Sequence, residues 1–177
     1  MIKQWGTQVL CRAALFATLA LAVGSSMAQG ATSAEALAAT AESGKELVFV
    51  CEHGSAKSVI AAAYFNQMAA ARGLAWRAVS RGLSPDAALQ GATAQGLLAD
   101  GIDLQPFARP QALTAEQSGR APKVVSIGVE RLPAYLDPAR LEQWNDIPAV
   151  SKSYVQARDT MKRRIDQLLD GLSRTAP

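Results

Sequence analysis

The chain has 177 residues, 49% of them hydrophobic and 19% charged, enough for about one globular domain once a leader is removed and too little for a multi-domain machine. Its first 28 residues hold Lys3 and Arg12 and no acidic residue. Without them the 18 basic residues become 16 against 15 acidic, and the charge of +3 falls to +1, which argues against nucleic-acid binding through bulk charge.

In chain order, the first element is a leader. A basic start, the 11-residue apolar run Ala13 to Val23 and the small-residue end Gly24-Ser25-Ser26-Met27-Ala28 match a secretory signal with an A-x-A-like site, here Ser26-x-Ala28. Cleavage is expected after Ala28. A transmembrane anchor needs about 20 apolar residues, so no stable membrane insertion is expected after cleavage, and the expected location is the periplasm or the exterior. Residues 29–44 are Ala, Ser, Thr, Gly and Glu without an apolar stripe and read as a flexible lead-in to a domain over 45–174.

Glu46 to Cys51 is a short continuous apolar run, the pattern of a strand buried on both faces of a parallel sheet. From Ser58, Val59, Ile60, Ala63, Tyr64 and Met68 recur at helical spacing up to Arg72-Gly73, where glycine suits a C-terminal cap. Ala75 to Ser80 alternates like a strand, Arg81 to Pro85 reads as a turn, and Asp86 to Asp100 reads as a helix closed by Gly101. Lys123 to Val129 and Arg140 to Trp144 read as two further strands. Ser153 to Leu172 places Tyr154, Ala157, Met161, Ile165, Leu168 and Leu172 on one stripe, an amphipathic helix. Strands alternating with helices predict a parallel α/β sandwich.

Cys11 leaves with the leader, so Cys51 is the only cysteine expected in the exported chain; an internal disulfide and a multi-cysteine metal site are both excluded. A small buried residue closing a strand is the plain reading of such a cysteine. Its surroundings point to chemistry. Ligands of open parallel sheets bind beyond the carboxyl ends of the strands, and Cys51-Glu52-His53-Gly54-Ser55-Ala56-Lys57-Ser58 occupies that place. Short residues let successive backbone N–H groups turn inward, and the following helix adds its positive end, giving a cradle for a tetrahedral oxyanion. The same field favours a thiolate, which makes Cys51 a candidate nucleophile.

Val48-Phe49-Val50-Cys51 with the loop to Ser58 resembles the C-x5-R-S phosphate loop of the low-molecular-weight protein tyrosine phosphatases and of the arsenate reductases sharing their fold. His53 is similar to C-x-H variants on the arsenate-reductase side. Ser80-Arg81-Gly82 resembles the family's Ser-Ala-Gly turn, Leu98 to Asp103 its "l-x-x-x-G-I-D" segment, Val124 to Gly128 its third strand, and Trp144 to Pro148 its acid loop. The resemblance implies a four-stranded parallel sheet flanked by helices, a doubly wound phosphatase-like sandwich. It also implies oxyanion binding by Cys51, Glu52, His53, Gly54, Ser55, Ala56, Lys57 and Ser58.

Two departures stand in the loop. Lys57 replaces the family's arginine, whose planar fork grips two oxyanion oxygens, and a point charge does not reproduce that fork. Gly54 replaces the usual asparagine and readily adopts a positive φ. The resemblance also implies an aspartate that protonates the leaving oxygen. Asp146, in Trp144-Asn145-Asp146-Ile147-Pro148, stands in the expected place; Asp137-Pro138 has the literal dipeptide but precedes the fourth strand. Ser58 either steadies the thiolate or caps the helix, and the roles are compatible.

His53 is the sole histidine, which rules out a multi-histidine metal site, and neither metal nor cofactor is expected. Its default is a solvent-facing loop residue; Glu52 is expected to point outward. Arg81 is a candidate second cation at the sheet edge, and Tyr135 and Trp144 are candidate walls or packing residues. The expected activity is hydrolysis of a phosphomonoester, phosphotyrosine among the candidates, through a phosphocysteine. Its rivals are a non-catalytic oxyanion- or phosphopeptide-binding module and arsenate reduction with an external thiol.

Overall fold

The structure, a computed structural model, describes residues 46–174; the expected leader and lead-in lie outside the described residues. Along the chain come β1 (Glu46–Cys51), α1 (Lys57–Ala71), β2 (Arg77–Gly82), α2 (Gly91–Ala99), a 3-10 turn (Gln105–Phe107), α3 (Ala115–Arg120), β3 (Val124–Ile127), β4 (Leu141–Trp144) and α4 (Tyr154–Arg174). The strands form one sheet in the order β2-β1-β3-β4, every pair parallel. This is the expected four-stranded α/β architecture.

β1 lies inside because its side chains are apolar on both faces. Leu47, Phe49 and Cys51 enter a core shared with α1 and α4, while Val48 and Val50 face a smaller cluster with Leu113, Ala121, Val124 and Leu136. Phe49 meets Phe65 of α1 edge-on at 5.8 Å between ring centroids and Trp144 of β4 at 5.4 Å. α1 buries nine of its 15 residues, and its alanines let it sit close to the sheet. α4 buries Ala157, Met161, Ile165, Leu168, Leu169 and Leu172, the stripe expected from its spacing. Among the described residues, no helix is long and apolar enough to cross a membrane.

Three boundaries differ from expectation for reasons that shape the site. β2 runs on through Arg81 and Gly82, which are not a turn, because Gly82 donates its N–H to the Gln111 carbonyl at 2.8 Å and accepts from Leu113 N–H at 2.9 Å. The second helix starts at Gly91, not Asp86. The N–H groups of Asp86 and Gln90 are given to the carbonyls of His53 and Ser55, which holds 86–90 along the cysteine loop instead of in a helix. Finally, α3 was not expected; Thr114 caps it, its Oγ1 accepting from Gln117 N–H at 3.1 Å.

Candidate active site

The chain leaves β1 toward α1 and β2 on one side, while β3 pairs with β1 on the other. At such a divergence the carboxyl ends of the strands leave a crevice. The crevice is a cavity of about 230 Å³ lined by every residue from Cys51 to Lys57 except Gly54, by Asp86 and Gln90, by Ile127 and Gly128 at the end of β3, and by Ala149, Val150 and Ser151. A larger hollow of about 420 Å³ opens at the other end of the sheet, around Glu46, Thr114 and Arg120. It holds no cysteine, and chemistry rather than volume assigns the site.

Backbone hydrogen bonds shape the loop. The carbonyls of Cys51, Glu52, His53 and Ser55 accept from the N–H groups of Leu83, Ser84, Asp86 and Gln90 at 2.8 to 3.1 Å. The 83–90 segment is thereby stitched along the loop. With those carbonyls engaged, the loop's N–H groups are the backbone groups available to an anion. Gly54 bends the loop at φ +61°, the positive value expected for it.

α1 begins directly behind this loop, with Ala56 as its N-cap and no side-chain capping bond. The first N–H groups of a helix have no partner within it. Left uncapped above a cavity, they present partial positive charge to whatever anion binds there. Ser58 is therefore not the cap. It lies inside the first turn, fully buried, with Oγ 3.2 Å from Cys51 Sγ. The strand end and the helix start thus join the Cys51 thiol, which lines the cavity, to a hydroxyl buried behind it.

Lys57 lines the cavity too, and its Nζ donates to the Ile147 carbonyl at 3.0 Å. Gly128, at φ +60°, makes room for it: a Cβ there would stand 2.8 Å from Nζ. Lysine has three donors, so one ties down the segment after β4 and two remain. Glu52, expected to point outward, is exposed but also lines the cavity.

Asp146 is not among the cavity walls. Its carboxylate pairs with Arg164 of α4 at 2.9 Å. Burial pushes the carboxyl upward, but the Arg164 hydrogen bond and charge outweigh it and hold it below the usual carboxylate range. A carboxyl held ionised is a poor proton donor. Asp137 serves its own turn, accepting from Ala139 N–H at 2.9 Å. Arg81 donates to Gln117 Oε1 and the Ser80 carbonyl, both at 2.7 Å. Trp144 is fully buried packing whose Nε1 donates to Glu142, and Tyr135 bonds the Leu113 carbonyl. None of these four lines the cavity.

Asp86 is the residue that sequence reasoning missed. Ser55, buried in the loop, donates its hydroxyl to Asp86 Oδ2 at 2.5 Å, and His53 Nδ1 lies 3.5 Å from Asp86 Oδ1. A signal was present. The loop after any parallel strand shares the carboxyl edge with the others, so Ser84-Pro85-Asp86 after β2 was bound to approach Cys51.

No protein-family model matches the chain, and no curated protein matches it. Solved structures do. YfkJ from Bacillus subtilis superposes with a TM-score of 0.67 at 16% identity, over 75% of this chain and 97% of its own. A thioredoxin-dependent arsenate reductase from Corynebacterium glutamicum gives 0.63 at 18% identity, over 81% of this chain and 72% of its own. A low-molecular-weight protein tyrosine phosphatase from T. tengcongensis gives 0.60 at 20% identity, over 72% of this chain and 99% of its own. With its parallel sheet in the order β2-β1-β3-β4 and a cysteine loop at the switch point, the chain has the fold shared by low-molecular-weight tyrosine phosphatases and arsenate reductases.

Proposed function

We propose that the protein is an exported cysteine-dependent phosphomonoesterase working through a phosphocysteine intermediate. The observation carrying this reading is the pairing of Cys51 Sγ with Ser58 Oγ at 3.2 Å beneath the uncapped start of α1. The Cys51 thiolate attacks phosphorus, and the ester oxygen leaves. Loop and helix N–H groups, with the free donors of Lys57, balance the phosphoryl oxygens as charge shifts onto them. Water then attacks the phosphocysteine, and the Ser58 hydroxyl stabilises the departing thiolate. Splitting one displacement into two is what an activated thiolate contributes.

The test is hydrolysis of para-nitrophenyl phosphate by the reduced protein, with acid-quenched mass analysis for a phosphoryl group on Cys51. Turnover that vanishes in Cys51→Ser supports the reading; no turnover and no phosphocysteine overturn it.

One observation favours a second reading, an oxyanion- or phosphopeptide-binding module: Arg164 holds Asp146, the expected acid. Phosphate binding without turnover is its signature. Arsenate reduction fits less well. Cys51 is the sole cysteine among the described residues, so an added thiol would have to complete that cycle. For export, the measurement is the N-terminus of protein recovered outside the cytosol, expected at Gln29.

A further inference from the structure

Resting on the phosphatase reading, we propose that His53, positioned by Asp86, replaces the acid-loop aspartate as the group that protonates the leaving oxygen and then deprotonates the attacking water. Three observations point to this pair. His53 and Asp86 both line the cavity that holds Cys51. The loop and the segment after β2 are fastened at the same place, His53 O accepting from Asp86 N–H at 3.0 Å while Ser55 Oγ fixes the Asp86 carboxylate at 2.5 Å. That carboxylate stands 3.5 Å from His53 Nδ1.

A carboxylate against Nδ1 sets the ring's orientation and turns Nε2 away as the exchanging nitrogen. The His53 side chain is 62% exposed and that of Asp86 49%, as a proton donor at a cavity mouth needs to be to meet the bulk of a leaving alcohol. Glu52 also lines the cavity, but no hydrogen bond or ion pair orients its side chain among the described residues.

In the first step the Cys51 sulfur forms a bond to phosphorus, the bond from phosphorus to the ester oxygen breaks, and the Nε2 proton of imidazolium moves to that oxygen. In the second, neutral His53 takes a proton from water as the water oxygen bonds to phosphorus, and the sulfur leaves as thiolate. One ester and one water give one alcohol and one phosphate, and both His53 and Cys51 return to their starting forms.

A proton donor matters most for a leaving group that resists departure as an anion, so the test varies the leaving group. Wild type, His53→Gln, Asp86→Asn and Asp146→Asn are assayed as full chains on phenyl phosphate and para-nitrophenyl phosphate. His53→Gln is expected to lose on the order of 100-fold in kcat/KM, which reports the first step alone, on phenyl phosphate and less than about 5-fold on para-nitrophenyl phosphate, while kcat falls on both esters because both pass through the same phosphocysteine. Asp86→Asn, a positioning change, is expected to show the same selectivity at roughly a tenth of the size. Equal losses in kcat/KM on both esters in His53→Gln, or a selective loss in Asp146→Asn alone, overturn the assignment while leaving the phosphatase reading intact. A wild type that turns over neither ester removes both. Circular dichroism checks that each variant is folded.

Discussion

Gly54 and Gly82 lie back to back, so close that a Cβ on Gly54 would stand 2.7 Å from Gly82 N and a Cβ on Gly82 would stand 2.8 Å from Gly54 N. Both neighbours are backbone, which has nowhere to go: Gly82 is pinned on its far side by Gln111 and Leu113. The contact presses the cysteine loop onto the end of β2. Gly54→Ala meets both a positive φ and this wall and is expected to cost about 1–3 kcal/mol. Gly54→Asn separates the two effects, because asparagine tolerates positive φ but still carries a Cβ. We expect Asn to be no better than Ala, in urea unfolding and in phosphate affinity. An asparagine variant with wild-type affinity would show that φ alone demands the glycine.

Ser58 is the test of the thiolate's support. Ser58→Ala removes the hydroxyl 3.2 Å from Cys51 Sγ and leaves the loop carbonyls bound to the 83–90 segment. On the phosphatase reading, the step in which the thiolate departs slows, with kcat falling about 10-fold or more and phosphocysteine accumulating after acid quench. A variant that loses turnover without accumulating the intermediate would place the hydroxyl in the first step.

Much of this was legible in the sequence. The continuous apolar run of β1 gave a central strand, and the stripe of α4 gave its buried face, because burial of one or both faces writes a period into the residues. The cradle was legible too, since Cys51 to Ser58 are contiguous. What stayed hidden depended on segments distant in sequence. Asp86 read as helical until the loop took its N–H, and Asp146 stood in the expected stretch of chain while Arg164, 18 residues on, held its carboxylate. Spacing locates contiguous chemistry; it does not say which partner a long side chain will choose.

Lys57 combines two tasks that substitution can separate. Lys57→Met loses the bond to the Ile147 carbonyl as well as the charge facing the cavity, a structural cost of about 1 kcal/mol and a loss of phosphate affinity. Lys57→Arg keeps the charge and adds a fork able to grip two oxygens at once. Inhibition by inorganic phosphate should therefore tighten roughly 10-fold in Lys57→Arg. Unchanged inhibition in both variants would mean that Lys57 is only a strap for the segment after β4.

Asp100, which closes α2, gathers three donors from two other helices: Tyr64 O–H of α1 at 2.5 Å, and Tyr154 O–H at 2.7 Å and Arg158 Nη1 at 3.0 Å from α4. Tyr154 reaches it because Gly96 lacks a Cβ, which would stand 2.5 Å from the tyrosine ring. Burial pushes the Asp100 carboxyl upward, but the hydrogen bonds from Tyr64, Tyr154 and Arg158 outweigh it, so the folded protein holds this group below the ordinary ~3.9. A carboxyl depressed on folding stabilises fully above its unfolded value and loses that contribution as pH falls through the folded one. Urea unfolding from pH 7 to pH 2 should therefore show Asp100→Asn less stable than wild type at neutral pH, by about 1–3 kcal/mol, with the gap closing below about pH 4. A gap that stays constant down to pH 2 would mean that the cluster holds the helices by packing alone, with the carboxylate's charge contributing nothing.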